Sequence, residues 1–243
     1  MNKSRVENIK DTVVETSEDL AKHIYNLLKK KPIHNVLDVG AWKGKLSDPF
    51  RNLKRCQIIG VDRTDEYKNN FDKFLHIDFL QSTAEDFKGL HVDLVLSNPP
   101  FNEDKEKGEL TPMLWLEHIF EVLGSNTPVV LIVGNWFFQS KGRMEKLNNF
   151  NVTRRIQLHK TSFGIEHQVE ASVLFFNIKT NRSMEYYYPP KKKNSKLLTD
   201  TKTQQKTKTI GFNQEQIKHI ESNFSNFSGE IKELIRAKYP DFP

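Results

Sequence analysis

The sequence contains little cysteine and no long apolar segment. Cys56 is the only cysteine among 243 residues, which excludes an intrachain disulfide and a zinc site built from several cysteines. The longest apolar run, residues 129–133, is far shorter than the roughly 20 residues that cross a bilayer. Residues 1–10 are polar and lack the apolar core of a signal peptide. We therefore expect a cytoplasmic protein with no membrane partner.

Basic charge is concentrated in one segment. The net charge is +6, and residues 179–208 alone carry +7, because this segment contains eight lysines and one arginine but only two acidic residues, Glu185 and Asp200. Such a basic strip favours binding to the phosphate backbone of a nucleic acid, although a solvated lysine-rich loop fits the charge equally well. The candidate contacts to a phosphate backbone are Lys191, Lys192 and Lys193.

Residues 93–101 read Asp-Leu-Val-Leu-Ser-Asn-Pro-Pro-Phe and combine an apolar run with a rigid turn. The apolar part predicts a short buried strand. Pro99 and Pro100 lack a backbone N–H and have a fixed φ, so the chain leaves the sheet as a stiff loop. The Asn98 side chain and the Pro99 carbonyl then offer two hydrogen-bond acceptors at a strand's carboxyl end, where open α/β sheets bind ligands. Two fixed acceptors suit a planar NH2 group, and Phe101 can stack on the ring that carries it.

Three earlier apolar runs also end in an acidic residue, at Asp38, Asp62 and Asp78. The turn after Asp38 contains Gly40, and glycine in a strand-to-helix turn lets a ligand approach the backbone closely. An acidic residue after the second strand of such a unit accepts hydrogen bonds from ribose hydroxyls, which makes Asp62 the candidate. A strand-end turn carboxylate with no ligand also fits Asp62. Four polar strand ends in order are more specific than any one of them.

The stretch Asn-Pro-Pro-Phe resembles the catalytic motif of S-adenosylmethionine-dependent N6-adenine methyltransferases. Residues 38–46 are similar to the family's first cofactor motif, Asp/Glu-x-Gly-x-Gly-x-Gly, but have Trp42 where many members have a small residue. The cofactor motifs come first, then Asn-Pro-Pro-Phe, then a late hairpin, which resembles the gamma order of this family. The resemblance covers about residues 14–180 and implies S-adenosyl-L-methionine as cofactor.

The resemblance also implies roles for individual residues. Thr16 would contact the methionine end of the cofactor, although Ser17 replaces the proline of the family's Glu-Thr-Pro segment. Asp78 would accept from the adenine amine of the cofactor, while Phe79 would pack on the adenine ring or belong to the core. The full implied cofactor set is Thr16, Asp38, Gly40, Asp62, Arg63, Asp78, Phe79 and Asn98.

The same resemblance implies a substrate pocket. Asn98, Pro99, Pro100 and Phe101 would form the catalytic loop. Phe163, in the loop between the last two predicted strands, would stack on the target base opposite Phe101. No metal and no covalent nucleophile is expected.

We predict an α/β, Rossmann-like class I methyltransferase fold. It has a seven-stranded, mostly parallel sheet with a C-terminal antiparallel hairpin and helices on both faces. Residues 1–180 would form the methyltransferase domain, and residues 181–243 a basic linker with a small helical extension. Predicted helices cover about residues 17–29, 46–53, 111–123 and 141–149.

These features predict methylation of adenine N6 in nucleic acid, DNA more than RNA, with the target base flipped out of the stack. Restriction-modification enzymes with this motif order usually carry a large target-recognition domain. Only about 60 residues follow residue 180 here. Recognition would therefore be minimal or come from a separate recognition subunit. The alternatives are an RNA adenine methyltransferase, a protein glutamine N5-methyltransferase, and a non-catalytic subunit that binds nucleic acid.

Overall fold

A central sheet of eight strands organises the computed structural model, which describes residues 14–104, 108–163 and 169–190. A separate ribbon is formed by the fifth and sixth strands in chain order. The strands are β1 (Asn35–Val39), β2 (Gln57–Asp62), β3 (Lys73–His76), β4 (Leu94–Ser97), β5 (Glu103–Asp104), β6 (Glu109–Leu110), β7 (Val129–Gly134), β8 (Val152–Leu158), β9 (Ala171–Phe176) and β10 (Met184–Tyr187).

The sheet has the order β10-β8-β9-β7-β4-β1-β2-β3. Strands β1, β2, β3, β4 and β7 are parallel to one another, and β9 lies antiparallel between β7 and β8. The predicted mostly parallel sheet with an antiparallel hairpin is therefore confirmed.

The predicted number of seven strands is one short. Strand β10 pairs in parallel with β8, so the sheet continues past residue 180, where the sequence predicted a linker. The side chains of β10 alternate between the two faces of the sheet, and those on the inner face explain why β10 pairs with β8. Tyr187 is buried and its ring lies 4.6 Å from that of His23, while Glu185 pairs with Arg154. The inward side chains of this short segment thus have partners that the sequence alone did not indicate.

Three α-helices cover the sheet in the described residues: α1 (Glu18–Leu28), α2 (Thr111–Leu123) and α3 (Lys141–Leu147). The helix predicted at residues 46–53 is instead a 3-10 helix, Asp48–Asn52, because Pro49 lacks the N–H that would form the first hydrogen bond of an α-helix beginning at Leu46. None of the helices in the described ranges is long and apolar enough to span a membrane.

Two apolar cores lie on opposite faces of the sheet. Val36 packs with α1, whereas the next residue, Leu37, packs with α2, as expected when successive strand side chains alternate between faces. Helix α1 buries Leu20, Ala21, Ile24 and Leu28; helix α2 buries Met113, Leu116, Ile119 and Phe120 on the other face. Helices on both faces are therefore confirmed.

The strand order creates a crevice between β1 and β4. The chain moves outward from β1 to β2 and β3, then returns to add β4 on the other side of β1. Such a switch in direction leaves a crevice outside the carboxyl ends of the strands, where α/β sheets bind ligands. The Ser97 hydroxyl donates to the Val39 carbonyl at 3.0 Å and holds these two strand ends together. Asp38 and Asn98 therefore meet at one edge.

Candidate active site

Asn98 lies directly after β4, and its amide orientation is set by its neighbours. Its Nδ2 donates to the Val14 carbonyl at 2.7 Å and to the Thr16 hydroxyl at 3.1 Å. A backbone carbonyl can only accept, so the NH2 end must face Val14 and Oδ1 must point the other way. Oδ1 is buried and has no hydrogen-bond partner among the described residues. Leaving a buried acceptor unpaired costs about 1–3 kcal/mol, so this atom suits a ligand that donates.

A cavity of about 30 Å³ lies beside Asn98. Its enclosed part holds little more than a water molecule, so a larger ligand requires side chains at its mouth to turn outward. Glu15 stands there and is paired with Lys45 at 2.5 Å and with Lys43 at 3.5 Å. The lining residues are Val14, Glu15, Thr16, Asp38, Gly40, Ala41, Trp42, Lys43, Lys45, Leu46 and Asn98.

Asp38, near the end of β1, is a buried carboxyl in this cavity. Its Oδ2 accepts a 2.5 Å hydrogen bond from the Ser47 hydroxyl. Burial raises the pKa of Asp38 to about 7, with a smaller contribution from the Asp62 charge, although the hydrogen bond from Ser47 acts in the opposite direction. This carboxyl group therefore exchanges its proton close to neutral pH.

The loop after β1 contains residues with positive φ, one of which is a tryptophan. Gly40 has φ +70°, and a Cβ there would lie 2.6 Å from the Trp115 ring, so only glycine fits. Trp42 has φ +46°, a conformation that bulky residues rarely adopt. Its N–H donates to Asp62 at 2.9 Å, and its ring meets Tyr67 edge-on at 5.1 Å. These contacts hold the tryptophan where the family motif has a small residue.

Asp62 ends β2 and already accepts three hydrogen bonds. Its Oδ1 accepts from the backbone N–H and the hydroxyl of Thr64, and Oδ2 accepts from Trp42. A carboxylate offers about four acceptor positions, so one remains at Oδ2 for a ligand hydroxyl. Arg63 is exposed next to it.

Asp78 and Phe79 follow the third strand but face different surroundings. Asp78 is exposed and its Oδ1 caps a 3-10 helix by accepting from the Leu80 N–H at 3.2 Å. Phe79 is 3% exposed and packs on the rings of Phe87, Trp115 and His118. The structure therefore places Phe79 in the core, which was the alternative interpretation of that residue.

The predicted pair of stacking rings has a different arrangement from the one expected. Phe163 is 6% exposed, and its ring meets that of Phe101 at 6.3 Å and 73°. A base between two stacked rings needs nearly parallel planes about 7 Å apart, twice the contact distance of carbon atoms. Phe163 thus supports Phe101 from the interior instead of standing opposite it across an open gap.

Thr16 is buried, and its hydroxyl accepts a hydrogen bond from the Asn98 Nδ2 at 3.1 Å. Pro99 is buried and Pro100 half-buried, directly after Asn98. Lys191, Lys192 and Lys193, and the predicted helical extension, lie outside the described residues.

Two residues of this edge were missed by sequence reasoning. Trp136 is 39% exposed, and its indole N–H donates to the Phe101 carbonyl at 3.1 Å. Glu15 points into the cavity, where its Oε1 is buried and lies 3.5 Å from the Lys43 ammonium nitrogen. An aromatic residue two positions after a buried strand, as at Trp136, was the available signal.

Comparison with known proteins identifies similar folds. A protein from Listeria monocytogenes, described as a candidate class I S-adenosylmethionine-dependent methyltransferase, is similar over 70% of this chain and 64% of its own, with 15% identity and a TM-score of 0.55. A chain of a type I R-M system is similar over 72% of this chain and 44% of its own, with 14% identity and a TM-score of 0.52. This chain thus spans less than two thirds of either structure's length.

No protein-family model matches the sequence, and the comparison with curated proteins found no match. At 15% and 14% identity, the structural similarities bear on the fold alone. The chain has the Rossmann-like fold of class I S-adenosylmethionine-dependent methyltransferases.

Proposed function

We propose that this protein is an S-adenosylmethionine-dependent methyltransferase that methylates the N6 amine of adenine in nucleic acid, with DNA favoured over RNA. The observation that carries the proposal is the buried, unpaired Oδ1 of Asn98, held in place by the bonds of Nδ2 to Val14 and Thr16. An acceptor fixed in this way suits the N–H of an amine.

The residues around the cavity fit S-adenosylmethionine. The ligand carries a sulfonium and an ammonium group, and Glu15 and Asp38 present carboxyl groups to the cavity. Asp62 retains one acceptor position for a ribose hydroxyl, and Gly40 keeps the backbone of the loop accessible. The small cavity implies that Lys43 and Lys45 turn outward on binding, which frees the Glu15 carboxylate to pair with the ammonium group of the ligand. When bound, S-adenosylmethionine supplies an electrophilic methyl group at the crevice.

The catalytic loop then positions the acceptor. Asn98 Oδ1 and the Pro99 carbonyl accept the two hydrogens of the amine, which draws its lone pair out of conjugation with the ring. S-adenosylmethionine would supply the methyl group to this nitrogen and leave as the neutral thioether, and solvent would take the proton that the methylated amine loses. Phe101 stacks on the base. Holding the reacting atoms near contact supplies much of the acceleration.

Charge supports nucleic acid as the substrate class. The segment 179–208 carries +7, while the remainder of the chain is near neutral, and a basic strip of this kind favours phosphates. We also propose that a separate subunit contributes to target recognition. The structural similarity to a chain of a type I R-M system agrees with both points.

The test is a methyl-transfer screen with tritiated S-adenosylmethionine against DNA, RNA and protein, followed by base analysis for N6-methyladenine. Asn98→Ala should reduce transfer at least about 100-fold, as expected for loss of a preorganised hydrogen-bonding group, while calorimetry shows cofactor affinity within about tenfold. Asn102→Ala, an exposed asparagine in the same loop, is the matched control and should stay near wild type.

Each other outcome has a defined meaning. Wild-type turnover in Asn98→Ala would remove Asn98 from the mechanism. Label in the protein fraction alone would replace adenine with glutamine as the acceptor, and label in RNA alone would replace DNA. Failure to bind S-adenosylmethionine would favour the alternative of a non-catalytic subunit that binds nucleic acid.

A further inference from the structure

Trp136 stands beside the catalytic loop with an exposed indole. It lies two residues beyond β7, and β7 is the neighbour of β4 in the sheet, so Trp136 and Asn98 share one edge. The indole is 39% exposed, in contrast to the buried Phe163. Its ring meets the Phe101 ring at 5.9 Å and 78°. Trp136 is thus the exposed aromatic side chain in contact with the catalytic phenylalanine.

The indole is held in place from two sides. Its Nε1–H donates to the Phe101 carbonyl at 3.1 Å. On the other side it lies on Gly134, where a Cβ would come within 2.7 Å of the ring. A side chain that is already immobilised loses little conformational entropy when it contacts a ligand.

Polar contacts fix the backbone on either side of the tryptophan. The Asn135 Oδ1 accepts hydrogen bonds from Gln157 and Ser172, at 3.2 and 3.3 Å. Arg143 donates to the Trp136 and Phe137 carbonyls at 3.3 and 3.0 Å, and is itself paired with Glu109 at 2.8 Å. These contacts hold the backbone of residues 135–137, so the position of the indole is fixed from its backbone as well as from its ring.

We propose that Trp136 forms the second aromatic wall of the acceptor pocket, at a steep angle to Phe101 and not opposite it as the sequence predicted for Phe163. A base stacked on Phe101 lies parallel to that ring and therefore meets the indole at a steep angle, as an edge-to-face pair. The indole N–H also positions the Phe101 carbonyl and so the end of the catalytic loop. The inference rests on the proposed function, because it takes the acceptor to be a planar base.

The first test uses the full-length protein and distinguishes the contribution of the aromatic ring of Trp136 from that of its N–H group. Trp136→Leu removes the aromatic wall and should raise KM for the nucleic-acid acceptor about threefold to tenfold, the range expected from one aromatic pair. Trp136→Phe keeps a ring and should hold KM within about twofold of wild type, so that any fall in kcat reports lost positioning of the loop. Thermal denaturation of each variant checks that the fold is retained.

The second test observes contact without activity. The chain has three tryptophans, so fluorine NMR of 5-fluorotryptophan-labelled protein gives three resonances, assigned by single Trp→Phe variants. Single-stranded oligo(dA) should shift the Trp136 resonance, and an abasic oligonucleotide of the same length should leave it unmoved.

The outcomes separate this inference from the proposed function. Methylation of nucleic acid with an unmoved Trp136 resonance, or with an unchanged KM in Trp136→Leu, overturns the role of Trp136 alone. A protein that neither methylates nucleic acid nor responds to oligo(dA) overturns both.

Discussion

At the scale of single residues, the protonation of Asp38 makes the stability of the fold depend on pH. Its pKa is about 7 in the folded protein, against 3.8 for an ordinary aspartate, because the carboxyl group is buried. Between these two values the folded chain holds a proton that the unfolded chain has released. Stability conferred on the fold by the neutral carboxyl group is therefore complete below about pH 4 and declines as the pH rises to about 7.

Asp38→Asn should remove this decline, since asparagine remains neutral and its side-chain oxygen still accepts from Ser47. The wild-type loss across the window amounts to about 4 kcal/mol, from roughly three pKa units at 1.36 kcal/mol each. Urea denaturation at intervals from pH 4 to pH 8 measures the difference. Parallel stability curves for the two proteins would contradict the assignment of the titrating group to Asp38.

Asp62 provides a second prediction at this scale. Asp62→Ala removes the acceptor proposed for the ribose and also releases the Trp42 N–H. We expect the affinity for S-adenosylmethionine to fall about tenfold or more, in line with the loss of a charge-assisted hydrogen bond. Asp65→Ala, an exposed carboxylate in the turn that follows β2, is the matched control for calorimetry. Equal affinities in the two variants would exclude Asp62 from the cofactor site.

At the scale of elements, a substitution of Gly134 at the end of β7 tests what holds the Trp136 indole in position. Gly134 has φ −68°, which any residue adopts, so Gly134→Ala acts only through the contact of its Cβ with Trp136. We expect a loss of about 1–3 kcal/mol, as for other overpacked sites, together with a raised KM for the acceptor. In Gly142→Ala, whose Cβ meets nothing within 4 Å, helix α3 should gain about 0.5–1 kcal/mol. Chemical denaturation of both variants would reveal the contrast, and equal changes would argue against the steric account.

The elements that sequence reasoning predicted well are those with strong local signals. Continuous apolar runs indicated β1, β2, β4 and β7, and prolines indicated where the chain leaves the sheet at Asn98. Elements that depend on distant partners were not predictable. Strand β10 is short and half aromatic, and its pairing is stabilised by His23 and Arg154, far away in the sequence. Likewise, nothing local distinguishes the buried Phe163 from the exposed Trp136, because their exposure depends on how the loops pack around Phe101.

At the scale of the whole molecule, the sequence predicted the sheet type and the edge that carries the polar strand ends. The switch point between β1 and β4 follows from the strand order, and it brought Thr16, Asp38 and Asn98 around one cavity. The occupancy of that cavity by Glu15, Lys43 and Lys45 could not be predicted, since these ion pairs join segments that are 30 residues apart. Exposed charges carry no periodic signal from which such a pairing could be read.

The concentration of charge after the sheet gives the prediction at this scale. Replacing Lys191, Lys192 and Lys193 with glutamine should flatten the dependence of nucleic-acid affinity on salt, because each lost phosphate contact removes close to one unit from the logarithmic slope. Lys29, Lys30 and Lys31 form a second lysine triplet, and their replacement is the matched control. Binding titrations over a range of salt concentrations measure the slopes. Identical slopes for wild type and the first variant would leave residues 191–193 as solvated surface.

The direction of β10 has a consequence for how large a substrate must be. Because β10 runs parallel to β8, its end lies at the same edge as the end of β4, four strand spacings or about 19 Å away. At about 3.4 Å per nucleotide, that span equals five or six nucleotides. Under the proposed function, a duplex shorter than this, with its adenine at Asn98, ends before it reaches the carboxyl end of β10. The proposed function therefore predicts a minimal duplex length that is set by the breadth of the sheet.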